Sequence, residues 1–306
     1  MSSRIVITGG GGQLGSALTA LTMDQGRDAL ALTSSQWDIT DPAEAQRIIR
    51  NGDVVINCAA YTNVDAAESD EARAYAVNAA GPEHIARACA HVGARLIHVS
   101  TDYVFTGEPV TGDPGEGGPR PYEPSDETDA RGVYALSKLA GERAVLAALP
   151  EAVVVRTAWL YTGGTGKDFV AVMRRLAAGD GPVNVVDDQT GSPTYVPDLA
   201  VALLQVADDP VPGPILHAAN EGEVSRFGQA RAVFEECGAD PARVRAVSTD
   251  EFPRPATRPT YSALSSRESA AAGLTPLRPW RAALVAALAA SPSDAAADRP
   301  LPSTRD

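Results

Sequence analysis

The sequence predicts an α/β fold: a Rossmann-type, doubly wound parallel sheet with a smaller C-terminal substrate-binding lobe. Three observations carry this. An apolar, β-branched run, Ile5-Val-Ile-Thr8, ends in glycines and leads at once into an amphipathic helix. Strand-like and helix-like segments then alternate through the first half of the chain, as right-handed βαβ units require. Thr8, Asn57, Ser100 and Thr157 all close apolar runs, and ligands of open α/β sheets bind at the carboxyl ends of the strands.

Residues 4–8 form the first strand. Gly9, Gly12 and Gly15 follow with G-x-x-G-x-x-G spacing. The first permits a tight turn, the second lets backbone approach a pyrophosphate, and the third lets helix pack close to strand. The helix over 13–23 then offers free N–H groups and a positive dipole end to an anion. A plain glycine-rich turn is the alternative; the flanking strand and helix favour the dinucleotide loop. Residues 29–32 form the second strand. Residues 42–50 form a helix, with Asp41 as N-cap and Pro42 opening it. A strand over 53–57, a mostly helical stretch over 72–92 and a strand over 95–100 follow. Residues 108–121, rich in glycine and proline, read as an exposed loop. A helix over 133–148 and a strand over 152–157 complete the regular alternation.

Beyond about residue 160 the order is less regular. Short strands are expected over 183–186 and 215–218, and helices over 197–207, 226–237 and 279–290. The expected division is a dinucleotide-binding domain over 1–160, a mainly substrate-binding lobe over 161–290 interleaved with it, and a disordered tail over 291–306, rich in Pro, Ser, Ala and Asp.

The 306 residues, 44% hydrophobic and 21% charged, are ordinary for a soluble globular protein. A net charge of −13 argues against a nucleic-acid surface, so local arginines would have to bind any anionic substrate. Cys58, Cys89 and Cys237 show neither C-x-x-C spacing nor an even count, and are expected to be buried small hydrophobes in a reducing compartment. The chain enters a strand at once, without a signal peptide, and no apolar run approaches about 18 residues. A cytoplasmic protein with no membrane span is expected.

Tyr134 and Lys138 share one face of the helix over 133–148. An ammonium beside a phenol favours phenolate, which makes a proton donor for carbonyl reduction near neutral pH. Such a pair also arises by surface packing; its place downstream of the glycine loop favours chemistry. The run Ser100-Thr-Asp-Tyr-Val-Phe-Thr-Gly107 puts hydroxyls at a strand end. Thr101 can therefore bond a carbonyl oxygen or the Tyr134 phenol, or simply cap the strand.

The arrangement resembles the extended short-chain dehydrogenase/reductase superfamily, and within it the dTDP-4-dehydrorhamnose reductases, over roughly residues 4–290. The C-terminal half is similar to the family's mycobacterial members. Nine motifs carry the resemblance: Gly12-Gln-Leu-Gly15, Asp38-Ile-Thr-Asp41, Asn57-Cys-Ala-Ala-Tyr-Thr62, Val64-Asp-Ala-Ala-Glu68, Ser100-Thr-Asp-Tyr-Val-Phe105, Tyr134-Ala-Leu-Ser-Lys-Leu-Ala-Gly-Glu142, Arg156-Thr-Ala-Trp-Leu-Tyr161, Asp188-Gln-Thr-Gly-Ser-Pro-Thr194 and Arg258-Pro-Thr-Tyr-Ser262. The resemblance implies that Gly9, Gly12, Gln13, Leu14 and Gly15 lie along the cofactor pyrophosphate. It places Asp38 and Ile39 at the adenine, and Ala60, Tyr61 and Thr62 at the ribose and nicotinamide side. Tyr134, Lys138 and Thr101 would be catalytic. Thr101, Asp102, Tyr103 and Trp159 would meet the sugar, and Arg258, with Arg254, the substrate diphosphate. Asp188–Thr194 would form a nucleotide-side turn. A cap for Asp38, a core position for Trp159, a solvated charge for Arg258 and a structural turn for residues 188–194 are the alternatives.

Two departures bear on cofactor and metal. The end of the second strand reads Leu32-Thr-Ser-Ser35, without the acid that bonds a ribose diol, which favours NADPH over NADH. Some family members dimerise through Mg2+ held by a glutamate just after the glycine loop; Ser16 and Ala17 stand there. No metal site is therefore expected, and the chain is a monomer or a homodimer. The implied activity is reduction of the C4 ketone of a dTDP-keto-sugar. Reduction of another NDP-4-keto-6-deoxyhexose, dehydration or epimerisation, and a non-catalytic dinucleotide-binding regulatory subunit are the alternatives. Thr101-Asp102-Tyr103 has an aromatic where dehydratases carry a glutamate, which disfavours elimination.

Overall fold

The computed structural model describes residues 3–111, 119–164, 166–209 and 211–290. The tail 291–306 and the middle of the glycine- and proline-rich stretch lie outside the described residues. Six parallel strands form the central sheet: β1 Ile5–Thr8, β2 Ala29–Leu32, β3 Val54–Asn57, β4 Arg95–Thr101, β5 Val153–Thr157 and β6 Ile215–His217. Their spatial order is β6-β5-β4-β3-β1-β2. The chain steps from β1 to β2 on one side and then returns to β3 on the other, so the crevice between β1 and β3 is the switch point.

The strands are apolar because both faces are covered. Ile5, Ile7, Val54, Ile56 and Ile97 pack against the helices Gln13–Asp24 and Val196–Asp208. Val6, Val55 and Leu96 point the other way, toward the helices Pro42–Ile48, Gly81–Val92 and Val133–Ala148. This is the two-residue alternation of a strand. β6 comes from beyond residue 160 yet pairs with β5, Ile215 opposite Val154. It joins this sheet because the helix Val196–Asp208 before it buries Leu199, Leu203 and Val206 against the same face.

A second cluster packs the helices Phe169–Ala177, Arg226–Glu236 and Trp280–Ala290 around the parallel pair Val183–Val186 and Val244–Val247. A third, with Phe105, Tyr122, Tyr261 and Leu264 at its centre, receives Tyr103 and Trp159 just past the ends of β4 and β5.

Asp41 caps its helix as expected, accepting from Ala43 N at 2.9 Å. The stretch over 72–92 is interrupted: Glu71–Tyr75 is α-helical, Ala76–Ala80 is a π turn, and Gly81–Val92 is α-helical again. Inside the expected loop 108–121, Val110–Thr111 pairs antiparallel with Pro119–Arg120. Cys89 is buried, but Cys58 is half-buried and Cys237 is exposed; Cys237 ends the helix Arg226–Glu236, beyond the side chains that cover it. Among the described residues, no helix is long and apolar enough to cross a membrane.

Candidate active site

The glycine loop sits where β1 meets the crevice. Gly9 has φ +64°, and a Cβ there would come within 2.9 Å of Ala59 N. A Cβ on Gly15 would collide with the Gly9 carbonyl. Only bare backbone allows this crossing of loop, helix and β3. Gly12 is the N-cap of the helix Gln13–Asp24 and offers no side chain to its first turn, so those N–H groups remain available to an anion. Beside it, the Thr8 hydroxyl donates to Asn57 Oδ1 at 2.6 Å and accepts from Cys58 N and Ala59 N, each at 3.1 Å. Asn57 Nδ2 lies 2.9 Å from His98 Nδ1, which makes that ring nitrogen the acceptor. Burial holds the His98 imidazole well below its ordinary pKa and so neutral. A Cβ-free loop above a fully buried polar network fits a dinucleotide pyrophosphate.

The residues expected on the cofactor side have partners of their own. Asp38 Oδ1 accepts from the Thr40 hydroxyl at 2.7 Å and Thr40 N at 3.0 Å, and these bonds hold its carboxyl below the usual range. Ile39 is buried. At the end of β2 the Thr33 and Ser35 hydroxyls lie 2.9 Å apart. The Gln13 amide reaches across to Asp168 Oδ2 at 3.1 Å and ties the loop to the start of the helix Phe169–Ala177. The turn Ala60-Tyr61-Thr62 is held by Asn78, which accepts from Tyr61 N at 2.8 Å and donates to Tyr61 O at 3.1 Å and to Ser137 Oγ at 3.0 Å. Asn78 is buried in the π turn. The sequence reading passed over it; an asparagine inside an otherwise helical stretch was the available signal.

Tyr134 and Lys138 stand one turn apart on the helix Val133–Ala148. Lys138 is 2% exposed and Nζ donates to Val99 O at 2.8 Å. Burial pulls its ammonium down to about 8. The Tyr134 phenol moves the opposite way to the expectation: burial raises it, against the neighbouring Thr101 hydroxyl. Asp102 and Tyr103 add to the rise. Thr101 Oγ1 spends its one O–H on Asp102 Oδ1 at 2.9 Å. Burial raises the Asp102 carboxyl to about 6, against hydrogen bonds from Ser262 and Thr101, and its buried Oδ2 has no hydrogen-bond partner among the described residues. The Tyr103 ring meets Tyr134 edge-on, with centroids 5.6 Å apart.

The far wall is built from Trp159, just past β5, and from residues 188–191 and 226. Trp159 has φ +48°, the one left-handed non-glycine residue among those described. A Cβ on Gly191 would come within 2.6 Å of the Trp159 ring, so glycine is needed there. Within residues 188–195, Thr190–Gly191 and Thr194–Tyr195 are short strands. Asp188 accepts from the Thr249 hydroxyl and N–H, and Thr190–Gly191 pairs with Val224–Ser225. On the other side of Trp159 lies Arg226, its Cζ 3.5 Å from the ring centroid. No motif had pointed to Arg226. Arg258, by contrast, is tied to Asp65 at 2.9 Å, and Arg254 approaches the same carboxylate at 3.6 Å. Thus Thr101, Asp102, Tyr103, Tyr134 and Lys138 converge, Trp159 joins them from just past the end of β5, and Arg258 bridges to the short helix Val64–Ala67 after Thr62. Among the described residues no group of three or more His, Cys, Asp or Glu is placed to hold a metal ion.

Residues 3–292 match the family described as the RmlD substrate binding domain. The chain is 75% identical over 305 residues to the dTDP-4-dehydrorhamnose reductase of Mycobacterium tuberculosis, covering 100% of this chain and 99% of the relative. The crystal structure of a dTDP-4-dehydrorhamnose reductase from Clostridium acetobutylicum superposes with a TM-score of 0.85 at 35% identity, over 94% of this chain and 98% of that one. The Bacillus anthracis dTDP-4-dehydrorhamnose reductase, solved in complex with NADP, gives 0.83 at 36% identity, over 93% and 98%.

Proposed function

The chain belongs to the RmlD substrate binding domain family, and on that premise we propose that it is an NADPH-dependent dTDP-4-dehydrorhamnose reductase. It reduces the C4 ketone of dTDP-4-dehydro-β-L-rhamnose to dTDP-L-rhamnose, the last step of dTDP-rhamnose biosynthesis. The observation that carries the reading is the convergence of Lys138, Tyr134, Thr101 and Asp102 at the carboxyl end of β4.

The nicotinamide cofactor, when bound, supplies the hydride. Gly9, Gly12 and Gly15 leave room for its pyrophosphate beside the N-terminus of Gln13–Asp24. The hydroxyls of Thr33 and Ser35, with no carboxylate at the end of β2 to repel a 2′-phosphate, favour NADPH, as does the NADP in the Bacillus anthracis relative. Because burial raises its pKa, the Tyr134 phenol stays protonated through the neutral range, the state needed to donate a proton to a ketone oxygen. Lys138 is charged below about pH 8. One of its three N–H donors is spent on Val99 O; the others are free to hold ribose hydroxyls, and its charge stabilises the phenolate left after transfer. Thr101 shares the hydrogen bond to the developing alkoxide. Tyr103 stands where a dehydratase needs a base, and burial pushes its phenol up to about 12, so elimination lacks its catalyst.

The test is NADPH oxidation with dTDP-4-keto-6-deoxyglucose, with and without a separate 3,5-epimerase. Turnover only with the epimerase, yielding dTDP-L-rhamnose, is expected. Turnover without it would assign another NDP-4-keto-6-deoxyhexose. Dinucleotide binding with no turnover would assign a regulatory subunit.

A further inference from the structure

Arg226 opens the helix Arg226–Glu236, whose cap, Ser225 Oγ, accepts from Gly228 N at 3.0 Å. Its guanidinium lies over Trp159 at 3.5 Å and within 4.9 Å of the Phe169 centroid. Its guanidinium donates to Gln229 Oε1 at 3.3 Å, a neutral partner. No carboxylate among the described residues stands within 4.0 Å. Burial lowers even this guanidinium, to about 10, although Tyr103 and Asp102 are near enough to oppose the shift. It therefore remains a cation at neutral pH, in the same cleft as the Tyr134 proton donor.

A desolvated cation with no carboxylate at ion-pair distance is costly, even with Asp102 nearby. A cation–π stack offsets part of that cost and leaves the planar fork of N–H groups free. Trp159 is itself held in a strained backbone conformation, with its ring fitted against Gly191. Strain of this kind persists where the surroundings enforce it, typically at ligand clamps. The other cation of the cleft is already compensated: Arg258 pairs with Asp65 at 2.9 Å, so the two formal charges cancel.

We propose that Arg226, stacked on Trp159, positions the diphosphate of the nucleotide-sugar substrate, and that Arg226 rather than Arg258 does so because Arg258 is already ion-paired and Arg226 is not. The inference rests on the reductase reading, which provides the anion. A bidentate guanidinium–phosphate contact would seat the sugar against Asp102 and Tyr103.

The experiment measures binding of dTDP, thymidine and NADPH, separately, to the full chain and to its Arg226→Gln, Arg226→Lys and Arg258→Gln variants. Removing a charged hydrogen-bond donor should weaken dTDP about tenfold or more in Arg226→Gln. Thymidine and NADPH affinities should not change. Arg226→Lys keeps the charge but loses the fork, and should fall in between. Arg258→Gln should lose less than Arg226→Gln. If Arg226→Gln and Arg226→Lys bind dTDP as the wild type does, the assignment is overturned and the reductase reading stands. Equal losses for dTDP and thymidine would also overturn it, since they mark Arg226 as a prop for Trp159. Failure of the wild type to bind dTDP would overturn both readings.

Discussion

Replacing Lys138 by methionine should stabilise the folded protein near neutral pH while abolishing most of its activity. The side chain is 2% exposed, and burial lowers its pKa from 10.5 to about 8. One pKa unit corresponds to about 1.4 kcal/mol, so keeping the buried ammonium charged at neutral pH costs roughly 3 kcal/mol. Methionine retains much of the stem's packing but removes the donor to Val99 O, a loss of about 1–2 kcal/mol. The net gain near pH 7 is then about 1–2 kcal/mol. The pH dependence is the more specific signature. The folded-state pKa of Lys138 lies below its unfolded value, so between about 8 and 10.5 the unfolded chain binds the proton more strongly. Wild-type stability therefore rises with pH across that window relative to the variant. The variant's advantage should shrink by roughly 3 kcal/mol and change sign above it. Urea unfolding of both proteins at a series of pH values, with equal m-values, measures this directly. A variant less stable than wild type by the same amount at every pH would refute the reasoning, because Lys138 would then be a packed side chain and not a strained cation. Such strain is what a fold tolerates for function.

Tyr134→Phe should lower the turnover rate by about 10²–10⁴-fold with NADPH affinity unchanged; an undiminished rate would remove Tyr134 as proton donor. Asp102 has its carboxyl raised from 3.8 to about 6, so the wild type loses stability as pH rises between those values and Asp102→Asn should gain on it above about pH 6. The same substitution should delete an ionisation near pH 6 from the kcat/KM profile, and a limb that survives in the variant belongs to another group. Gly191→Ala places a Cβ within 2.6 Å of the Trp159 ring; steady-state kinetics should show a raised KM for the nucleotide-sugar with the KM for NADPH unchanged, and equal effects on both would point to a global disturbance.

Much of the fold was legible because its signals are local. Ala29–Leu32, Val133–Ala148 and Val183–Val186 begin and end at the residues expected from the sequence, since periodicity and turn residues act within a few positions. The Asp41 cap needed only its own helix. The π turn at Ala76–Ala80 was not legible. It is set by where Asn78 must point, toward Tyr61 and toward Ser137, 59 positions away. The strand Ile215–His217 was legible as a strand, but its place in the central sheet came from the apolar face of the preceding helix meeting β1 and β3.

The sequence by itself determined the parallel α/β architecture, the glycine crossing and the Tyr134–Lys138 pair, because each is a matter of spacing along one or two adjoining elements. Only the tertiary structure decided the charge states and the far wall of the cleft. The Tyr134 phenol is raised, not acidified, because burial and the nearby Asp102 carboxyl are properties of the packed interior. Arg226 meets Trp159 across 67 positions of chain, and Arg258 is claimed by Asp65 from the opposite lobe. Desolvation and long-range ion pairing depend on which distant segments come together, and no local pattern encodes that.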